Sequence, residues 1–352
     1  MTTGTCGSKR DAKAPQVIDC NGAHLRDLSE ISRFITWETI RVNIVNSGPI
    51  DLPYTLFGDV NADLSHLKYL NLSGNGISQV DKLALSALRN LTVIDLSNNP
   101  FGCAGEAFAG STSLQQLYLR NTSREDVPCK AGDIIPHENV KRLEVLDIGM
   151  NNLFETDENF TIFLRDKAFN IKIFNLSYNL FENLIPDIMY MGNVQHLDLS
   201  HNKIQALDDK DVESLDHLVN LNYLMLAGNP WTCDCGLAVF ADWLNTTDTP
   251  VDVDQITCYG FTGSQVVQLS ETSLCEEPQV VVCYGPGGPI RVARSTLYII
   301  VLAVPICIIA IIVTAVICCR HRCAHRQKRK PTGGQSHYIP NNPKEPAYNR
   351  MV

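Results

Sequence analysis

A nine-residue pattern, L-x-x-L-x-L-x-x-N, returns seven times between residues 67 and 229, and no other feature of this 352-residue chain constrains its fold so tightly. The copies are LKYLNLSGN from Leu67, LTVIDLSNN from Leu91, LQQLYLRNT from Leu114, LEVLDIGMN from Leu143, IKIFNLSYN from Ile171, VQHLDLSHN from Val194 and LNYLMLAGN from Leu221. Successive starts lie 24, 23, 29, 28, 23 and 27 residues apart, and a degenerate eighth copy lies around Ile40–Ile50. A period of this size marks units that cannot bury their apolar residues alone and must stack on their neighbours.

Each apolar position has a task. Leu67, Leu70 and Leu72 are expected to point inward from a short strand and its approach, so that stacking merges successive units into one core. The ladder Asn75, Asn99, Asn151, Asn179, Asn202 and Asn229 is expected to satisfy backbone groups where the chain leaves each strand. Thr122 holds that place in the third copy, which predicts an irregular turn there.

Seven copies in register resemble the leucine-rich-repeat superfamily over roughly residues 20–276. That resemblance implies an α/β fold: a curved leucine-rich-repeat solenoid with parallel strands on its concave face and disulfide-bonded caps at its ends. After the last copy come NPWTCDCGLAVFADWL, Cys258 and Cys275, which resemble the C-terminal flanking cap of extracellular members of the superfamily. The resemblance implies the pairs Cys233–Cys258 and Cys235–Cys275; four cysteines around one zinc ion are the competing reading. At the other end Cys6 and Cys20 resemble part of an N-terminal cap, and a bridge between them is expected. Cys103 and Cys129, in loops of adjacent repeats, are read as a further bridge, with two free buried thiols as the alternative. Cys283 is then left without a partner in the outer region, and an odd cysteine in an oxidising compartment invites a disulfide-linked homodimer.

Charge divides the chain in two. The first 294 residues hold 21 basic and 37 acidic side chains, a balance of −16, whereas residues 320–352 stand at +7. Nucleic-acid binding would put the basic excess on the large domain, so no nucleic acid is expected. Residues 296–319 (TLYIIVLAVPICIIAIIVTAVICC) carry no charge and suffice to cross a bilayer. Six Lys/Arg in 320–330 against Arg291 and Arg294 on the other side put the C-terminus in the cytoplasm. The expected layout is an N-terminal cap (1–36), repeats (37–228), a C-terminal cap (229–276), a flexible Gly/Pro stalk (277–295), a transmembrane helix (296–319) and a disordered basic tail (320–352). An exported chain should start with a signal peptide, and the first residues, MTTGTCGSKRDAK, contain no apolar stretch of that kind. Six N-x-S/T sequons begin at Asn71, Asn90, Asn121, Asn159, Asn175 and Asn245; with the cysteines they favour the secretory pathway and the plasma membrane.

No catalytic, metal or cofactor motif is present. The histidines lack His-Glu-x-x-His spacing, there is no Gly-x-Ser-x-Gly elbow, and the glycines of GPGGPI follow no strand-to-helix unit. Binding is therefore expected from strand side chains that alternate away from the core. Among them Tyr69, Tyr118, Arg120, Ile173, Tyr178, His196, His201, Tyr223 and Met225 depart from the common Asp/Asn filling, and aromatic and Arg side chains are typical interface anchors. In the tail, Tyr348-Asn-Arg-Met351 resembles both an SH2 docking site and an endocytic adaptor signal. The ectodomain resembles the Toll-like type without its intracellular signalling domain. Two functions follow as expectations: a receptor or co-receptor for protein or microbial ligands in innate recognition, or an adhesion protein without signalling of its own.

Overall fold

The computed structural model describes residues 6–9, 16–32, 34–52, 64–82, 84–86, 88–108, 110–126, 129–135, 141–259, 264–269, 274, 280–285, 288–293, 309, 312 and 313. It forms two compact units, 1–276 and 277–352. Unit one is built on a ten-stranded sheet whose strands lie in sequence order. The strands are β1 (Cys6–Lys9), β2 (Gln16–Asn21), β3 (Thr39–Val45), β4 (Tyr69–Asn71), β5 (Val93–Asp95), β6 (Gln116–Tyr118), β7 (Val145–Asp147), β8 (Ile173–Asn175), β9 (His196–Asp198) and β10 (Tyr223–Met225). β1 pairs antiparallel with β2, and every later pair is parallel. Helices α1 (Ser29–Ser32), α2 (Ala131–Ile134), α3 (Glu158–Asp166) and α4 (Asp209–Asp216) lie in the returns between strands.

The strands are three residues long from β4 onward, because only that stretch of each repeat alternates in the right phase. Leu70, Ile94, Leu117, Leu146, Phe174, Leu197 and Leu224 form one fully buried row. The residues before and after them face the other way, in the alternation a strand imposes. The degenerate copy supplies β3, whose Val42 and Ile44 are wholly buried and whose register continues into β4.

The asparagine ladder is a hydrogen-bond chain between repeats. Asn99 donates to Leu96 O in its own repeat (2.8 Å) and to Leu72 O in the one before (3.0 Å), while its Oδ1 accepts from Asn75 N and Ile77 N. Each amide thus pairs carbonyls and N–H groups that no strand reaches. The turn at Thr122 keeps the backbone form of its neighbours, but among the described residues its side chain, unlike those of Asn75 and Asn99, donates to no carbonyl of the preceding repeat. Its Oγ donates to Leu119 O, Asn151 Nδ2 supplies the second donor to that carbonyl at 2.7 Å, and Asn121 keeps the same left-handed φ (56°) as Asn98 (58°).

Disulfides join Cys6–Cys20, Cys103–Cys129 and Cys233–Cys258. Cys235 is also disulfide-bonded; Cys275, the partner implied by the resemblance, lies outside the described residues. The C-terminal cap, with helix α5 (Ala238–Thr246), closes the exposed edge of β10 by standing in for a further repeat. Pro250 O accepts from Leu224 N (3.0 Å), and the buried Asp252 carboxylate accepts from Leu226 N (2.8 Å) and Ala227 N (3.0 Å). Trp231, fully buried, stacks on Phe240 at 4.7 Å, and Trp243 Nε1 donates to Asp216 of α4.

In unit two, β11 (Val280–Gly285) and β12 (Gly288–Ala293) form an antiparallel hairpin with Cys283 opposite Ile290. The stretch expected to be a flexible stalk is thus an ordered ladder over these residues. Among the described residues no helix is long and apolar enough to cross a membrane. The apolar segment 296–319, apart from Ile309, Ile312 and Val313, lies outside them, as do the tail and its Tyr348 and Met351.

Candidate binding face

The sheet presents two open rows. Tyr69, Val93, Gln116, Val145, Ile173, His196 and Tyr223 stand in register across β4–β10, and Asn71, Asp95, Tyr118, Asp147, Asn175, Asp198 and Met225 form the second row. The two ends of the first row differ. Tyr69 is half-buried with the Arg41 guanidinium 3.9 Å above its ring. Ile173, His196 and Tyr223, on three adjacent strands, are exposed.

Beyond the strands runs a third row, in the turn just before the asparagine ladder. One residue per repeat there adopts a left-handed backbone: Asn46, Gly74, Asn98, Asn121, Met150, Tyr178, His201 and Gly228, with φ between 50° and 71°. The turn demands this conformation, which costs an ordinary L-residue about 1–2 kcal/mol and is tolerated best by Gly and Asn. Five repeats obey that preference. Three consecutive repeats do not, and carry Met150, Tyr178 and His201.

Two of the three are held by contacts of their own. Tyr178 and His201 stack at 4.1 Å with their planes 13° apart. The Arg120 guanidinium lies 5.4 Å from the Tyr178 ring centroid, donates to Ser177 Oγ (3.0 Å) and stands 4.0 Å from Asp147. Two glycines make room for this. A Cβ on Gly149 would fall 2.4 Å from Arg120 Nη1, and one on Gly228 would fall 2.4 Å from His201 Nδ1. Arg120, Tyr178 and His201 therefore form a layered group spanning several repeats, with Tyr178 and His201 face to face and the Arg120 guanidinium over the tyrosine ring. Met150, Phe154, Tyr178 and Leu180 extend it as exposed apolar surface at 39%, 54%, 47% and 38% exposure. A cleft of about 250 Å³ opens beside Phe154, between it and Phe181.

Beneath the stack, Asp147 accepts from Gly149 N (2.9 Å) and from Asn175 Nδ2 (3.1 Å). Burial raises its carboxyl above the ordinary value, and the bonds from Gly149 and Asn175 and the nearby Arg120 charge oppose that rise only in part. Tyr118 donates to Gln116 Oε1 at 3.2 Å, and its phenol is raised by burial and by Asp95, Asp147 and Tyr69.

The structure thus sorts the sequence-predicted residues. Arg120, Tyr178 and His201 meet in one stack; Ile173, His196 and Tyr223 form one exposed row, with Met225 half-buried beside it; Tyr69 lies apart at the other end, and Tyr118, on β6 next to Asp147, lies between. Met150, Gly149 and Gly228 escaped the sequence reading. The position before each ladder asparagine was the signal, since a large residue among Asn and Gly stands out there.

Of the sequons, Asn71 and Asn175 lie on the strand rows, Asn121 stands exposed in the third row beside Arg120, and Asn90, Asn159 (on α3) and Asn245 (on α5) are exposed elsewhere. The Asn245 amide donates to both Ala241 O and Val267 O. Among the described residues no group of side chains could hold a metal ion.

Comparison with known proteins agrees with this architecture. Two models described as leucine-rich repeat match the chain, one over residues 55–101 and 65–123 and the other over 193–207. Trophoblast glycoprotein of Macaca fascicularis is 26% identical over 215 residues, covering 55% of this chain and 49% of that one. Toll-like receptor 2 type-2 of Gallus gallus is 27% identical over 232 residues, covering 61% of this chain and 27% of the receptor. The match thus spans from about a quarter to half the length of these curated relatives. The crystal structure of human trophoblast glycoprotein (5T4, Wnt-activated inhibitory factor 1) superposes with a TM-score of 0.61 at 21% identity, covering 77% of this chain and 97% of that one. Repeat register, disulfides and these likenesses together support a disulfide-bonded leucine-rich-repeat solenoid similar to these proteins.

Proposed function

We propose that this chain is a single-pass cell-surface receptor or co-receptor that binds a protein ligand over β8–β10 and the adjoining stack of Arg120, Tyr178 and His201. One observation carries the reading: three consecutive repeats accept a costly backbone so that large side chains stand ordered at the surface. Strain of that kind persists where the surrounding structure imposes it, and it clusters at functional sites. Tyr and Arg held in one geometry before binding lose little entropy on contact, which is how a few anchors come to dominate an interface. The Toll-like and trophoblast-glycoprotein likenesses support a ligand-binding role at the cell surface. The charge-free segment 296–319 and the basic run after it support one crossing with the tail inside. In this reading Cys283 pairs two receptors outside the membrane, and Tyr348 is the docking residue of the tail.

The test displays the full chain on mammalian cells behind a signal peptide and screens secreted and microbial surface proteins against it. A true ligand should lose roughly thirtyfold or more in affinity on Tyr178→Ala, the size of a hot-spot truncation of about 2 kcal/mol, and little on Tyr69→Ala. Ligands indifferent to Tyr178, His201 and Tyr223 would remove this face from consideration. Crosslinking the same cells separates receptor from adhesion molecule: a receptor becomes phosphorylated on Tyr348, whereas an adhesion molecule only clusters cells.

A further inference from the structure

The strand rows of the open face carry two N-x-S/T sequons, and their amides are used differently. At Asn71 the side-chain Oδ1 accepts from Ser73 N (2.9 Å), and Nδ2 has no partner among the described residues. Its neighbours in the row are short: Asp95 on one side, and on the other Asn43, which turns its own amide away to Asp19 at 2.9 Å. At Asn175 the amide is engaged at both ends. Oδ1 accepts from Ser177 N (2.9 Å) and Ser177 Oγ (2.7 Å), and Nδ2 donates to Asp147 Oδ2 (3.1 Å). That acceptor is the half-buried carboxylate beneath the stack, and the same Ser177 Oγ also receives Arg120 Nη1.

An asparagine amide has two N–H groups, and an N-linked glycan replaces one of them. At Asn71 either can be given up without loss. At Asn175 the bulky sugar has to be placed on a nitrogen that holds Asp147, in the middle of the network that seats Arg120 against Tyr178. We propose that Asn71 bears an N-linked oligosaccharide, that Asn175 stays bare, and that the sugar thereby closes the β4–β6 end of the open face and leaves the β8–β10 end to the ligand. The split falls where the face itself changes. Tyr69, beside Asn71, is half-buried under Arg41, while Ile173, His196 and Tyr223 at the other end are exposed. Only the last clause of the proposal rests on the ligand-face reading above; the state of the two asparagines stands without it.

The experiment takes the full chain from the surface of mammalian cells and releases N-glycans with peptide-N-glycosidase F in ¹⁸O-water, which converts each glycosylated asparagine to labelled aspartate. Peptide mass spectrometry should find the label at position 71 in most molecules and unmodified Asn175. Label at 175, or none at 71, overturns the assignment. Tyrosine iodination of the native chain before and after deglycosylation reads the shielding: modification of Tyr69 should rise several-fold while that of Tyr178 and Tyr223 stays constant. Equal rises at all three would overturn the division of the face even with Asn71 occupied. Neither measurement uses a ligand, so a failure here is distinct from the failure of a Tyr178 variant to lose ligand.

Discussion

Tyr178 illustrates how a single backbone angle separates stability from function. Its φ of 57° is unfavourable for an aromatic residue, and its contacts with His201 and Arg120 return part of that cost. Met150 has nearly the same angle (56°); its backbone N–H donates to Ser177 O, but among the described residues its side chain joins no stack or hydrogen bond. Met150→Asn should therefore stabilise the fold by about 1 kcal/mol, the left-handed penalty relieved, as read from the midpoint of urea unfolding. Asp147 gives a second expectation. Its folded carboxyl is raised above 3.8 by burial, so ionising it opposes the fold. Its cost is absent below the ordinary carboxylate value, and stability falls as pH rises from there through the raised value. Asp147→Asn cannot titrate, so unfolding free energies measured against pH should show the variant gaining on the wild type across that window and running parallel above it. A constant difference would mean that Asp147 does not titrate abnormally. Most residues of the face were legible in the sequence because strand alternation fixes which side chains face out. The stack was not, since the glycines that admit Arg120 and His201 act through absent atoms and across several repeats.

At the scale of elements, the repeat pattern foretold β4–β10 because each strand is the outcome of the same three apolar positions. The cap was legible by its cysteines and tryptophans. What could not be read was how the cap joins the sheet: Asp252 lies 26 residues beyond the N–H it accepts from, with no pattern linking the two. Removing that carboxylate leaves two buried N–H groups unpaired, so Asp252→Ala should cost about 1.5–3 kcal/mol. Cys258→Ser should cost about 2–5 kcal/mol, the usual loss with a native bridge. Thermal unfolding of the two variants checks both, and a melting point within a degree of wild type for Asp252→Ala would show the edge of β10 closed by other contacts. The hairpin β11–β12 was hidden for a different reason. Its Gly and Pro residues read as loop, while the pairing that orders it lies in the flanking run VVVCYG and its partner strand.

For the whole molecule, charge and strain point to a division of labour. The acidic 1–294 region and the basic tail would be held on opposite sides of a bilayer. The repeats supply a core that is the same from strand to strand, which leaves the open face free to vary. The central claim is that Met150, Tyr178 and His201 are kept at the surface for a partner and contribute nothing net to folding. Equilibrium unfolding of the variant carrying Met150→Asn, Tyr178→Asn and His201→Asn tests it most directly, because a ligand need not be known. Relief of three left-handed residues at about 1–2 kcal/mol each should outweigh the loss of one aromatic stack at about 0.5–1.5 kcal/mol. The expected result is a variant as stable as the wild type or more so, with the same denaturant slope. A loss of more than about 2 kcal/mol, the scale of a structural defect, would show that the stack holds the repeats together, and would contradict its assignment as a binding surface.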